Sequence, residues 1–240
     1  MLLRNPQTMP ALRNTIIISA WKMALHLLVP VIVSILLNEI QSNAFRRISQ
    51  TLIYLPHFLS WIILAGIMID LLSPNGGLVN RFLGLFGAEP IFFLGSNKWF
   101  RFTLVFTDVW KEFGFGTIVY LAAITNIDPT QYEAATIDGA NRFQRIMHVT
   151  LPNMRMIIVL MMVLSLGNVL NAGFDQVYNM YSEAVYSTGD ILDTFIYRLS
   201  FKNGLWGQSA AVSMFKSVVS TLFISVSYLC AYKFADYRVF

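Results

Sequence analysis

Residues 127–152 read IDPTQYEAATIDGANRFQRIMHVTLP, and they connect two long apolar segments of the chain. Asp128 is a favourable helix N-cap, Pro129 fits the first helical position, and Gln131 completes a capping box. These signals predict a short helix from Pro129 to about Ile137. A regular helix is therefore expected inside the connection between two apolar segments.

The second half of the same stretch predicts a bend and another helix. Asp138-Gly139 interrupts the first helix, because glycine accepts the positive φ that often ends a helix. Three apolar residues then recur with helical spacing: Phe143, Ile146 and Met147. Leu151-Pro152 is expected to turn the chain into the next apolar segment. Together these features predict a helix-turn-helix elbow outside the bilayer.

The composition excludes a soluble protein. Hydrophobic residues make up 56% of the 240 residues and charged residues only 12%, whereas soluble domains carry about 25% charge. Nineteen Phe and ten Tyr exclude disorder, and one cysteine excludes a disulfide framework and a cysteine-rich zinc site. The three His show no metal-ligand spacing. The net charge of +4 comes without a basic cluster, which argues against binding to nucleic acid.

Five segments are long and apolar enough to cross a membrane, which takes about 20 mostly apolar residues. They are 15–37, 51–72, 99–124, 154–170 and 209–232. Their unbroken hydrophobicity favours helices over barrel strands, which would alternate in segments of about 10 residues. The sequence thus predicts an all-α integral membrane protein in which residues 1–240 form a single transmembrane domain. Lys and Arg are divided almost equally between the two sides, so their count decides the orientation only weakly.

The elbow carries a family motif. Glu133-Ala134-Ala135, then Gly139 three residues later, then 149–152 (VTLP) resemble the EAA loop of binding-protein-dependent ABC importer permeases. The family pattern is Glu-Ala-Ala, three residues, Gly, nine residues and Ile-x-Leu-Pro. Every spacing is met, and the one departure is a valine for the isoleucine.

Three further segments are similar to the oligosaccharide and polysaccharide branch of this family: 54–58 (YLPHF), 132–141 (YEAATIDGAN) and 174–178 (FDQVY). The resemblance implies the five-helix core of a type I importer permease. The family usually has one more helix ahead of these five, which this chain is expected to lack.

The resemblance also implies a role for the elbow. The elbow would face the cytoplasm and dock on an ATPase subunit, with the N-terminus outside and the C-terminus inside a bacterial cytoplasmic membrane. The residues implied in ATPase coupling are Glu133, Ala134, Ala135, Asp138, Gly139, Leu151 and Pro152. Ala134 and Ala135 are small enough for a helix to enter a groove, and Glu133 offers a carboxylate to a basic partner.

The implied assembly has several other components. They are a second permease subunit, two ATPase subunits, an extracytoplasmic solute-binding protein, a carbohydrate substrate and membrane lipid. A heterodimer of permeases is favoured and a homodimer is left open. The chain has no Gly-x-x-x-x-Gly-Lys-[Ser/Thr] phosphate loop. ATP is therefore expected on the partner subunits, and this chain is predicted to be neither an enzyme nor a cofactor-binding protein.

Charged residues inside the predicted third span allow two interpretations. Asp108, Lys111 and Glu112 lie at i, i+3 and i+4 and so share one helix face. They form either a self-neutralising structural cluster or part of the translocation pathway. Lys22 and Lys216 are expected to snorkel or to pair with acids of a partner subunit.

The end of the fourth span is the second candidate for the pathway. Asn168 and Asn171, with Phe174 and Tyr178 nearby, offer the amides and rings that bind sugars. The alternative is a polar helix end that enters a loop.

Two other functions compete with an importer subunit. An ion-coupled secondary carrier would use Asp108 and Glu112 as proton sites, but such carriers often have repeated halves that this sequence lacks. A membrane enzyme would need a nucleophile-base pair or a metal constellation, and the sequence contains neither.

Overall fold

A computed structural model describes the backbone of residues 6–235 and the side chains of residues 6–226. This part of the chain contains helices, turns and loops and no β-strand. The helices are α1 (Thr8–Asn38), α2 (Asn43–Tyr54), α3 (Trp61–Leu71), α4 (Leu78–Gly84), α5 (Phe100–Thr125), α6 (Pro129–Ile137), α7 (Arg142–Arg145), α8 (Leu151–Leu166), α9 (Phe174–Met180), α10 (Tyr186–Gly189), α11 (Leu192–Tyr197) and α12 (Trp206–Ala235). The predicted all-α fold is confirmed.

Among the described residues, three helices are long and apolar enough to cross a membrane: Thr8–Asn38, Arg142–Leu166 and Trp206–Val226. A fourth candidate is a pair, Asn43–Phe58 and Trp61–Leu71, which qualifies only if both helices count as one span. α5 has 26 residues and carries the charged group predicted for the third span. The number of five spans stays a prediction.

The predicted second span, 51–72, is not one continuous helix. α2 ends at Tyr54 and a 3₁₀ turn follows at Leu55–Phe58. Pro56 has no backbone N–H to donate, which favours an interruption there. Ser60 then starts α3 as its N-cap, and its hydroxyl accepts a hydrogen bond from the N–H of Ile63 at 3.4 Å.

Leu151-Pro152 does not turn the chain, so that part of the elbow prediction was wrong. The helix runs without interruption from Arg142 to Leu166. A π turn at Ile146–Thr150 precedes the proline, and the N–H of Leu151 bonds to the carbonyl of Ile146, five residues back. The wider turn accommodates a residue that has no N–H and whose ring would crowd an α-helical carbonyl.

The chain divides into two compact units. The first unit contains three segments: the described residues up to Met23, Leu59–Asp108 and Gly167–Val226. Its larger buried cluster includes Ile18, Phe100, Leu104 and Val177, and a second cluster centres on Phe195 and Leu199. These apolar contacts hold the start of α1 and the first part of α5 against the segment between α8 and α12.

The second unit contains Ala24–Phe58, Val109–Leu166 and, among the described residues, the end of α12 from Ser227. Its core is built on Tyr120, Ile124 and Met154, with apolar residues of α1 packed around them. Gly114 lets α5 approach the backbone of α2, because a Cβ there would collide with the carbonyl oxygen of Ile53. The close approach of these two helices requires a residue with no side chain.

A matched pair of glycine substitutions tests this packing. We expect Gly114→Ala to destabilise the purified protein by about 1–3 kcal/mol, since the added methyl overpacks a backbone contact. Gly66 lies in α3, and a methyl group added there would meet no neighbouring atom within 4 Å. Gly66→Ala should be neutral or stabilising by up to about 1 kcal/mol, the helix preference of Ala over Gly. Thermal unfolding in detergent measures both, and equal melting temperatures for the two variants would contradict the close approach.

Candidate functional site

The predicted elbow is present between α5 and α8. α6 spans Pro129–Ile137 as predicted, and Gly139 adopts φ +79° directly after it. Asp128 caps α6 by accepting a hydrogen bond from the N–H of Thr130 at 2.9 Å. That backbone hydrogen bond lowers the pKa of the Asp128 carboxyl, and a charged carboxylate stabilises a helix N-terminus.

The predicted capping role of Gln131 was wrong. Its side-chain oxygen accepts a hydrogen bond from the amide of Asn153 at 2.8 Å and so ties α6 to α8. A complete capping box lies instead at the start of α7, where Asn141 and Gln144 bond each other's backbone N–H groups at 2.9 and 2.8 Å. The pattern Asn-x-x-Gln is a readable signal for such a box that sequence reasoning missed.

Side-chain hydrogen bonds hold the elbow in its bent form. The hydroxyls of Tyr132 and Thr150 lie 3.0 Å apart and connect α6 to the π turn. Arg145 donates to the hydroxyl of Thr136 at 3.2 Å across the bend. The turn at Gly139 therefore has a defined shape.

The surface of the elbow is open. Neither α6 nor α7 has a buried residue. Of the predicted coupling residues, Ala135 and Leu151 are half-buried, and the others are exposed: Glu133, Ala134, Asp138, Gly139 and Pro152. Two large apolar residues of the elbow, Ile137 and Phe143, are 86% and 69% exposed. The elbow thus presents a carboxylate, small residues and apolar side chains on its surface.

A buried ion pair lies in the first unit. The ammonium of Lys22 is 3.0 Å from the carboxylate of Asp108, and their side chains are 8% and 11% exposed. Lys22 also donates to the carbonyl of Ala172 at 2.8 Å and to the side-chain oxygen of Gln176. Gln176 in turn donates to the carbonyl of Leu104 at 2.8 Å. This network joins α1, α5 and the start of α9.

A second charged group lies in the other unit. Glu112 accepts from Lys111 at 2.6 Å, and its other oxygen is 2.7 Å from the Nδ1 atom of His57. Lys111 also donates to the carbonyl of His57 at 3.0 Å. The imidazole of His57 stacks on Phe115 with 4.3 Å between ring centres. The group fixes the 3₁₀ turn at Pro56-His57 against α5.

The charges of α5 therefore have partners beyond the three residues predicted to act together. Sequence reasoning missed Lys22 and His57, because only the fold brings α1 and the turn after α2 to α5. Lys22 and Lys216 were expected to snorkel or to pair with acids of a partner subunit. They pair instead with Asp108 and Asp193 of the same chain, so pairing with a partner's acid was the wrong expectation. Whether any of these charges lines the pathway stays a prediction.

A cavity of about 380 Å³, with both polar and apolar lining, lies in the first unit beside the residues that follow α8. Three predicted pathway residues line it, namely Asn168, Asn171 and Phe174, together with the Asp193–Lys216 pair and Ser220. Tyr178 stacks on Phe174 with 5.3 Å between ring centres. Amides, a hydroxyl, an ion pair and an aromatic ring can bind a polyhydroxylated ligand. Among the described residues, no three His, Cys, Asp or Glu side chains come together as a metal site.

The fold and these features define a class of protein. Long apolar helices, an exposed elbow between α5 and α8, and a cavity lined by amides, an ion pair and an aromatic ring fit a membrane transport subunit. The chain belongs to the family of binding-protein-dependent transport system inner membrane components, whose model matches residues 26–239. The predicted family is confirmed, and the chain is a permease component. An ion-coupled carrier is not supported.

Relatives from Bacillus subtilis (strain 168) are similar over almost the whole chain. The polygalacturonan/rhamnogalacturonan transport system permease protein YteP is 37% identical over 100% of this chain and 74% of its own length. Protein LplB is 39% identical over 98% of this chain and 74% of its own length.

Solved structures show the same fold. A bacterial ABC transporter involved in the import of the acidic polysaccharide alginate contains a chain that is 35% identical, with a TM-score of 0.92. The match covers 97% of this chain and 82% of that one. A second structure of a bacterial alginate ABC transporter, in complex with an alginate pentasaccharide-bound periplasmic protein, matches equally well.

The buried ion pair generates a double-substitution test. Lys22→Met leaves the Asp108 carboxylate without its ammonium partner, and breaking a buried pair costs about 3–5 kcal/mol. Lys22→Met/Asp108→Asn removes both charges and should recover part of the loss in melting temperature in detergent, since the hydrogen bonds of Lys22 to Ala172 and Gln176 stay absent. Lys98→Met removes an exposed charge and serves as the control without effect. A double variant no more stable than Lys22→Met would show that the two charges do not compensate each other.

Proposed function

We propose that this chain forms half of the translocation pathway of an ATP-driven carbohydrate importer and couples to a separate ATPase through residues 127–152. The observation that carries the proposal is the elbow. It combines the Glu133-Ala134-Ala135 and Gly139 motif with a surface on which no residue of α6 or α7 is buried. A connector with this much exposed apolar surface is suited to a docking partner.

The carbohydrate class is supported by two observations. The relatives named above include permeases for polygalacturonan/rhamnogalacturonan and alginate. The cavity lined by Asn168, Asn171 and Phe174 has the chemistry expected for sugar hydroxyls and the apolar face of a sugar ring. We therefore assign the substrate as an oligosaccharide, with Tyr178 beside the cavity.

The proposed assembly follows from the same family. A second permease subunit supplies the other half of the pathway, two cytoplasmic ATPase subunits bind ATP, and an extracytoplasmic solute-binding protein delivers the sugar. The periplasmic protein seen with the alginate transporter supports this last partner. We place the chain in a bacterial cytoplasmic membrane with the elbow and the C-terminus in the cytoplasm.

The coupling residues divide by their position in the elbow. Ala134 and Glu133 lie exposed on α6 and would enter the groove of the ATPase subunit. Gly139 and Asp138 form the bend, while Leu151 and Pro152 follow the π turn where the elbow joins α8. Movement of the docked α6 would reach α8 through the hydrogen bond between Gln131 and Asn153 and through the continuous helix that begins at Arg142.

Two glycines that share the same backbone φ angle and have no neighbouring atoms near an added Cβ test the coupling role. Gly139 and Gly87 have φ +79° and +78°, and neither would bring a Cβ within 4 Å of another residue. Alanine in the left-handed region costs about 1–2 kcal/mol at either site. We expect Gly139→Ala to lower ATP-dependent uptake by about tenfold or more, because about 1.4 kcal/mol of lost docking free energy changes an association constant by that factor. Gly87→Ala should retain uptake.

The measurement is uptake of labelled oligosaccharide into vesicles with ATP on the ATPase side and ion gradients dissipated. Retention of the ATPase subunit during purification is measured in parallel. Uptake that needs an ion gradient instead of ATP would contradict the importer. Equal uptake and equal ATPase retention in both glycine variants would contradict coupling through the bend.

The proposed orientation has its own test. Gln144 lies in the elbow and Glu89 in the 73–98 connection, and both are exposed. Single cysteines at these positions, in a background with Cys230→Ser, are treated in intact cells with a thiol reagent that cannot cross the membrane. We expect labelling of Glu89→Cys in intact cells and of Gln144→Cys only after the membrane is opened. The reverse pattern would invert the topology.

A further inference from the structure

Five aromatic side chains of the first unit form a continuous row. We call this row the aromatic ladder: Phe174, Tyr178, Tyr197, Phe201 and Trp206. Successive ring centres lie 5.3, 4.8, 5.0 and 5.2 Å apart. Phe174 also lies 5.7 Å from Tyr197, so the three inner rings contact one another and the row extends from them through Phe201 to Trp206. It begins at a residue that lines the cavity and ends on the first residue of α12.

The ladder keeps accessible ring surface along its whole length. Phe174, Tyr178 and Tyr197 are half-buried, while Phe201 and Trp206 are 67% and 59% exposed. A purely structural aromatic cluster would close its rings against one another and against the core. Tyr178 and Tyr197 each contact three other rings. The most accessible ring surface therefore lies at Phe201 and Trp206.

The two outer rungs, Phe201 and Trp206, lie on a backbone segment that contains an uncommon turn and is held by side-chain contacts. Phe201 lies in a π turn, Arg198–Lys202, and such turns occur frequently at functional sites. Arg198 begins this turn and is fixed by the carboxylate of Asp190 at 2.6 and 3.2 Å. Gly204, with φ +68°, then reverses the chain so that Trp206 comes back against Phe201.

Polar groups accompany the inner rungs. The hydroxyls of Tyr178 and Tyr197 lie 3.3 Å apart, and the Asp193–Lys216 pair and Asn171 line the adjoining cavity. Sugar rings have an apolar face of C–H groups and an edge of hydroxyls. The C–H face packs on the negative face of an aromatic ring, while the hydroxyls bond to groups of the kind found here.

We propose that the aromatic ladder is an extended binding surface for successive pyranose rings of an oligosaccharide and leads them into the cavity beside Phe174. The inference rests on the proposed function, since it assumes a carbohydrate substrate. It adds a specific prediction that affinity grows with the number of sugar units, because a longer chain reaches the outer rungs.

A membrane-anchoring role for Phe201 and Trp206 is the competing explanation, because Trp is enriched at bilayer interfaces. Chain-length dependence separates the two. An interfacial anchor would affect stability or all ligands alike, whereas an outer rung affects only ligands long enough to touch it. The test therefore compares a pentasaccharide with a disaccharide of the same sugar.

The experiment measures equilibrium binding of labelled di- and pentasaccharides from polygalacturonan and from alginate to the purified, assembled transporter. We expect Phe201→Leu and Trp206→Leu each to weaken pentasaccharide binding by about three- to tenfold, the scale of one lost aromatic contact. Disaccharide binding should be unchanged. Trp206→Phe keeps a ring and should retain most of the pentasaccharide affinity. Phe102→Leu is the matched control, because Phe102 is a 59% exposed aromatic residue that contacts other rings but lies outside the ladder.

The outcomes are distinct. Pentasaccharide affinity that is unchanged in the two ladder variants, or that falls equally in Phe102→Leu, would overturn the ladder. An equal loss for di- and pentasaccharide would overturn it as well. ATP-dependent uptake by the wild-type transporter is measured with the same four sugars in vesicles. If the wild type takes up a pentasaccharide but the ladder variants bind it as tightly as the wild type does, the ladder alone is rejected. If none of the four sugars is taken up, both the carbohydrate assignment and the ladder are rejected.

Discussion

The ion pair between Lys22 and Asp108 is the constraint on which the first unit depends. A buried charge is costly unless a partner compensates it, and here each charge has the other at 3.0 Å. Because the two residues belong to α1 and α5, these helices have to lie side by side with a defined register. The ammonium also binds the carbonyl of Ala172. One buried cation thus holds three separate segments of the chain.

The shape of the candidate site follows from this pair. Gly173 has φ +87°, and a Cβ at this position would lie 3.0 Å from the ammonium of Lys22. A glycine at this position satisfies both the positive φ and the close approach to the ion pair. α9 starts immediately afterwards with Phe174, and Gln176 is fixed by Lys22 and by the carbonyl of Leu104. The first ring of the aromatic ladder and the wall of the cavity are placed by the same buried charges.

Local signals were readable in the sequence, and long-range partners were not. α6 has the predicted bounds, and Gly139 has the predicted positive φ, because both depend on residues within one or two turns. Lys22 and His57 were missed as partners of α5, since 86 and 55 positions respectively separate them from Asp108 and Glu112. The error at Pro152 has a different origin. A proline can end a helix or be accommodated by a π turn, and the sequence contains nothing that decides between these two.

The elbow is suited to docking because it is weakly stabilised by itself. α6 has nine residues and no buried side chain, and an isolated helix of fewer than about 12 residues is marginal in water. Its supports are the Asp128 cap and three side-chain hydrogen bonds: Tyr132 with Thr150, Asn153 to Gln131, and Arg145 to Thr136. The exposed side chain of Ile137 adds nothing to stability until another surface covers it. A partner that buries this helix would therefore gain apolar contact area and also fix its position relative to α8, so binding and mechanical connection would arise from the same contact.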